Sequence, residues 1–198
     1  MSRTSLNRII HKELKRSKLV KNTVRITMEK QFKIAHKKLM HDFNSHRVTR
    51  ELEAGPSAEN ITGSLREGNL FGFIGFDESH DPIAPLRKSL ASANILIHKR
   101  INSQPLAFVY KVHIASIGDL HKLTPLPWAK GASWLQELEG RGIPNLGQYR
   151  FKDSQSSRSG AGIQADVGEG GRLRIEYMET LLKEFEKDLN QIRGGMKA

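Results

Sequence analysis

The chain contains no cysteine. Disulfides, cysteine-ligated zinc, iron–sulfur clusters and thiol nucleophiles are therefore excluded. No apolar run approaches the roughly 18 residues of a membrane-spanning helix, so none is expected. The opening residues, MSRTSLNRIIHKELKRSKLVKN, have no apolar core and do not read as a secretory signal. Neither glycine nor proline occurs before Gly55, so nothing in the first quarter breaks a helix. Aromatics are 7% of the chain, and only Phe32 and Phe43 fall within residues 1–50, too few for a base-stacking platform. Acids are scarce in the same stretch: residues 1–50 hold 14 Lys/Arg against Glu13, Glu29 and Asp42.

That scarcity places the charge. The chain carries 32 Lys/Arg and 21 Asp/Glu, a net +11, and residues 1–50 account for all of it. Residues 51–198 hold 18 of each sign. A neutral body with a cationic first quarter points to a polyanion or an acidic protein surface as partner. At 198 residues and 37% hydrophobic, the chain has enough apolar surface for one core. The reading is a basic arm over residues 1–20 and a single domain over 21–198. The arm's strongest candidates for contact are Lys12, Lys15, Arg16, Lys18, Lys21 and Arg25.

Periodicity gives the elements. Residues 4–43 read as helix, with a short stripe (Leu6, Ile10, Leu14) and a longer one running from Val20 through Val24, Met28, Phe32, Ala35 and Leu39 to Phe43. The two stripes differ in register, which predicts a break at Ser17–Asn22 with Asn22 or Thr23 capping the second piece. The first piece has few apolar residues and is expected to order against a partner. Residues 54–69 are turn-rich. NLFGFIGF, residues 69–76, reads as a glycine-interrupted strand. Pro82–Leu90 reads as a short helix capped by Asp81. Ile95–Ile101 and Leu106–Ala115 alternate and predict an antiparallel hairpin, central in its sheet, with Phe108 in the core. Ser133 should cap a helix Trp134–Leu138 that Gly140 and Gly142 end. Gln148–Lys152 and Gly162–Val167 read as strands flanking the polar stretch Asp153–Gly162. Residues 172–193 read as helix on the stripe Leu173, Tyr177, Leu181, Phe185, Leu189 and Ile192. The fold class is α+β: an antiparallel sheet covered by a long N-terminal and a C-terminal helix, with an extended loop or hairpin.

Motifs of catalysis are missing. His36 and His41 are five apart and do not share the face that HExxH ligands require. His98 and His113 are placed to meet across the hairpin, but no third metal ligand has suitable spacing. There is no GxSxG elbow and no Walker A loop. Ser156, Ser157 and Ser159 have no neighbouring base. No catalytic residue, metal or cofactor is expected. RRM, KH and zinc-finger signatures are absent, so any nucleic-acid contact would be to phosphate through the basic helix.

The order of elements is a basic helix, a turn Thr62-Gly63-Ser64-Leu65, strands, a PxPW loop, the aromatic–acidic–glycine stretch Trp134–Gly142, a polar hairpin and a terminal helix. This order resembles bacteriophage tail-completion and head–tail joining (neck, tail-terminator) proteins, the group that includes minor tail protein Z. The strings EAGPSAENITGSLREGNLFGFIGF, PLPWAKGASW and SSRSGAGIQ also look like structural proteins of contractile-tailed phages. Those proteins carry a T-G-x-L turn leading into a plain strand, whereas here Arg66-Glu67-Gly68-Asn69 intervenes. The resemblance implies a non-enzymatic homo-oligomer, a sixfold ring in the virion neck or tail, assembled in the host bacterial cytoplasm. Its implied partners are tail-tube, sheath and connector proteins, with a possible non-specific contact to packaged DNA. It adds Trp128, Trp134, Arg158 and Gln164 as interaction residues and makes Asp153–Gly162 an intersubunit loop. The alternative reading is a nucleic-acid-binding accessory protein that uses the basic helix.

Overall fold

A computed structural model describes residues 13, 17–65, 68–98, 109–144 and 172–194. Mixed helix and strand is observed, as the sequence predicts. Helix α1, Lys18–Ser45, runs 28 residues without glycine or proline. Its cap is Ser17, whose hydroxyl accepts from the Val20 N–H at 3.3 Å. The break thus falls in the expected window, but Ser17 does the capping, and Asn22 and Thr23 sit exposed inside the helix. At His46 the backbone turns extended (ψ 136°), ending α1. The His46 Nδ1 accepts from the Val48 N–H at 3.2 Å, so the same residue starts α2, Arg47–Glu53.

The turn-rich link is organised by one carboxylate. Glu51 is fully buried; its Oε2 accepts from the Thr62 N–H at 2.6 Å and its Oε1 from the Leu70 N–H at 2.7 Å. Asn69 Oδ1 accepts from the Gly72 N–H at 2.9 Å, and its Nδ2 donates to the carbonyls of Pro56 and Ala58. These contacts correct the expected strand at NLFGFIGF. Leu70–Ile74 is a short helix, α3, capped by Asn69 and closed by Gly75 at φ +92°, a left-handed conformation that favours glycine. All residues from Leu70 to Phe76 are buried, so the run has no polar phase by which strand and helix can be told apart.

Helix α4, Ala84–Ala91, begins two residues later than expected. The N-cap position is Ile83, not the expected Asp81, whose Oδ1 instead accepts from the Ile83 and Ala84 N–H groups at 2.9 Å just ahead of the helix. Strands β1, Asn94–His98, and β2, Val109–His113, pair antiparallel. The hairpin is not the centre of one sheet. Among the described residues it is one of three separate two-stranded ladders, and Leu96 on it is 45% exposed. Its register sets His98 against Val109 and His113 against Asn94, so the two histidines are not cross-strand partners. Phe108 lies outside the described residues.

Helix α5, Ile117–Lys122, carries a capping box between Ser116 and Asp119. Strands β3, Pro125–Leu126, and β4, Ala129–Ser133, form a tight hairpin whose turn is Pro127-Trp128. Ser133 then caps α6, Trp134–Glu139, by accepting from the Gln136 N–H, and Gly140 ends it, as the sequence predicts. The last ladder pairs β5, Ile143–Pro144, with β6, Arg172–Leu173. Gly142 precedes it at φ +80°, where an added Cβ would lie 3.0 Å from the Leu173 carbonyl oxygen.

The C-terminal helix α7 is Met178–Gly194, so it starts six residues later than the stripe suggests. Leu173 belongs to β6, and Tyr177 is placed just ahead of the helix by Glu139. The Glu139 Oε1 accepts from the N–H groups of Tyr177 at 3.1 Å and Glu179 at 2.9 Å, capping α7 from a distant element. The core joins α1 to α7: Phe32 meets Phe185 edge-on and Phe43 stacks on Tyr177. Thr49 and Tyr177 share a buried hydroxyl–hydroxyl bond of 2.7 Å. No described helix is long and apolar enough to cross a membrane.

Candidate assembly surfaces

Helix α1 buries Phe32, Ala35, Leu39 and Phe43 on one side. Residues a half-turn away must then face outward. That face holds Ile26 (57% exposed), Ile34 (55%), Lys30, Lys33 and Lys37, which with Glu29 line a shallow groove of about 390 Å³. Leu19, 76% exposed, lies toward the start of the same helix. Exposed isoleucines between lysines are not what solubility alone selects, because charged residues suffice for that.

The charge on α1 is only partly answered. Arg25 pairs with Glu29 at 3.8 Å. Lys38 pairs with Asp188 at 2.8 Å and Asp42 at 3.6 Å, and the Asp188 hydrogen bond raises its pKa. These pairs use both acids of the helix, Glu29 and Asp42. Among the described residues no carboxylate pairs with Lys30, Lys33 or Lys37. Of the arm residues singled out by sequence, Lys18 and Arg25 are exposed and Lys21 is half-buried on the first turns of α1. Lys12, Lys15 and Arg16 lie outside the described residues, as do Arg158, Gln164 and the Asp153–Gly162 stretch with its flanking segments.

The two tryptophans separate. Trp134 is 1% exposed, edge-on to Phe76, so it belongs to the core and has no face for a partner. Its position is a consequence of the Ser133 cap, which directs the first turn of α6 inward. Trp128 is 39% exposed at the β3–β4 turn, with its Nε1–H donating to the Ile74 carbonyl at 2.8 Å. That bond fixes the ring while leaving part of it to solvent.

A second concavity, about 710 Å³, lies where the α1–α2 bend meets the Thr62–Ser64 turn and the start of α7. Buried Val48, Tyr177 and Leu181 form its floor. Half-buried Asp42 and exposed Glu176 and Glu184 stand at its edge; Arg47 is the cation among its described lining residues, and Lys38 pairs with Asp42 beside it. Burial, aided by the Arg47 charge, holds the His46 imidazole below its ordinary pKa, so it is neutral at pH 7. Sequence reasoning missed this site. Its residues come from three separate stretches, of which the sequence marks only the Thr62–Leu65 turn as a functional motif.

Among the described residues no three His, Asp or Glu side chains are grouped to hold a metal. His36 is stacked on Phe32 and bonds the Leu90 carbonyl through Nε2 at 3.0 Å, a packing role. Both surfaces can bind: one is cationic and apolar, the other acidic with an apolar floor. Comparison with protein-family models, curated proteins and solved structures yields no match for this chain.

Proposed function

We propose that this chain is a non-enzymatic structural protein of a contractile-tailed phage virion. It forms a homo-oligomeric ring, sixfold, at the junction of tail and neck, where it completes the tail and gives the head connector a docking surface. Its partners are tail-tube, sheath and connector proteins, and its site of assembly is the host bacterial cytoplasm. One observation carries the reading: the outward face of α1 presents Ile26 and Ile34 among Lys30, Lys33 and Lys37, and among the described residues no carboxylate forms an ion pair with those lysines. Such a face suits a protein surface that is both apolar and acidic. The ordered motifs that resemble tail-completion proteins give the partner class.

The test is replacement of Lys30, Lys33 and Lys37 together by glutamate in a phage that depends on this gene. The variant should melt like the wild type, because exposed substitutions shift stability by only about 0.5 kcal/mol each, yet be missing from purified particles. Wild-type yield of particles containing the variant contradicts the reading. A gene position between portal, sheath and tube genes would support it independently.

The second reading, a nucleic-acid accessory protein, is favoured by the same three lysines at helical spacing. It requires binding to bare duplex with a log–log salt slope set by the phosphates engaged. The exposed isoleucines have no role in it, which is why the protein partner is preferred.

A further inference from the structure

We propose that the groove beside the α1–α2 bend receives the N-terminal segment, residues 1–17, of a second copy of this chain, so that copies join head to tail. This deepens the ring reading above and rests on its premise of self-assembly.

The two surfaces match in chemistry. The segment carries Arg3, Arg8, Lys12, Lys15 and Arg16 against Glu13 alone, and its apolar residues, Leu6, Ile10 and Leu14, recur every four positions. The groove offers an apolar floor with acids at its edge. Asp42 already pairs with Lys38, which also feels the charge of Glu184, while among the described residues no ion pair engages Glu176. Carboxylates of this kind, next to the hydroxyls of Ser45 and Thr180, are acceptors for lysine and arginine donors. Neutral His46 adds no opposing charge. At about 710 Å³ the groove is within the range of roughly 300–1,000 Å³ that holds one compact ligand. It therefore takes a few side chains of the segment, one or two apolar residues with their flanking cations.

Geometry places the segment in another copy. The groove is at the C-terminal end of α1, and residues 1–17 join its N-terminal end. A 28-residue helix is about 42 Å long, whereas 17 residues in the helix predicted for them span only about 26 Å. A helical segment does not reach back to its own groove. A contact between unlike surfaces of successive copies is heterologous, and such contacts close into a ring when the rotation allows.

The absence of cysteine makes the test clean. Chains carrying Ser5→Cys and labelled with nitrogen-15 are mixed with unlabelled chains carrying Thr180→Cys, treated with a short bis-maleimide, and digested for mass spectrometry. A labelled–unlabelled peptide pair joined through positions 5 and 180 is expected. Its yield should fall about tenfold or more when Glu176→Lys and Glu184→Lys are added to the second chain, since like charges then face each other. It should recover when Lys15→Glu and Arg16→Glu are added to the first. Glu176→Gln with Glu184→Gln should give an intermediate loss and serves if the lysine variant melts early. No such link between copies, a link indifferent to the charge reversals, or a link that forms only within a doubly substituted chain overturns the proposal. Virions that incorporate the Glu176→Lys, Glu184→Lys protein at wild-type level would remove the groove contact and leave the ring reading standing.

Discussion

The two halves of α1 have the same length and opposite fates. Lys18–Gln31 contributes no buried residue, while Phe32–Ser45 contributes Phe32, Ala35, Leu39 and Phe43 to the core. Both halves are cationic, so charge does not distinguish them. What differs is the opposing element: the second half lies along α7, and its aromatics meet Phe185 and Tyr177. In the first half Val20, Val24 and Met28 are only half-buried, and Leu19 and Ile26 face solvent. An isolated helix of this length is marginal in water, so the first half depends on its Ser17 cap and on continuity with the second. Residues 32–45 build the core with one side and present Lys33, Ile34 and Lys37 with the other, whereas residues 18–31 have no buried side to anchor them.

The sharpest way to break this contrast is to empty the anchored half. Phe43→Ala removes a fully buried ring and should cost about 3–5 kcal/mol, read as a large drop in the urea midpoint. Ile26→Ala, at an exposed position, should leave that midpoint nearly unchanged. Similar costs from the two would erase the distinction. Next in size is Glu51→Ala. It leaves the Thr62 and Leu70 N–H groups without their acceptor and should cost about 2–4 kcal/mol, measured in the same way.

A smaller effect comes from Glu139, which fixes the start of α7 and so the surface against which the second half of α1 packs. Burial holds its carboxyl above the ordinary carboxylate range, with the N–H bonds from α7 opposing. The folded state therefore takes up a proton more readily than the unfolded state. Stability contributed here is present below the ordinary carboxylate pKa and is lost as pH rises through the raised one. Glu139→Gln has no such loss. The difference in urea midpoint, Gln minus Glu, should widen as pH rises through that window and stay flat below it. A difference independent of pH would contradict this account of Glu139.

The smallest stability effect belongs to Ile26→Ala combined with Ile34→Ala, within about 0.5 kcal/mol per site. Their effect should appear in assembly instead. If docking is partly electrostatic, it should also weaken as salt shortens the screening length to roughly 8 Å or less.

What could be read in advance followed periodicity and caps. The stripe from Phe32 to Phe43, the stripe from Leu181 to Leu189, the Ser133 cap and the alternating hairpin were all legible because each is a local signal. Leu70–Phe76 was not, since an entirely buried run carries no phase, and its helix is set by Asn69 and by Glu51, 19 residues away from Leu70. Leu173 and Tyr177 fit the helical stripe of α7 by phase, yet Ile143 and Glu139 hold them outside it. The Ser116–Asp119 box is a local signal of the same kind, a serine followed three residues later by an acid. The excess charge was plain from composition, but the exposed isoleucines beside it came from knowing which side of α1 is buried. The resemblance makes Trp134 an interaction residue, but its 1% exposure puts it in the core, and nothing in its sequence neighbours tells a core tryptophan from a surface one.

The central claim is that residues 18–31 of α1 are steadied only when a partner covers the outward face, while residues 32–45, which carry Lys33, Ile34 and Lys37 on that same face, are already held by the core on their other side. Amide hydrogen exchange, followed by mass spectrometry on the free protein and on the same protein in purified particles, measures both halves at once. The account predicts that peptides from Lys18–Gln31 gain protection on assembly, while those from Phe32–Ser45 are protected in both states and change little. Equal protection of the two halves in the free protein, or no gain in Lys18–Gln31 on assembly, would contradict it.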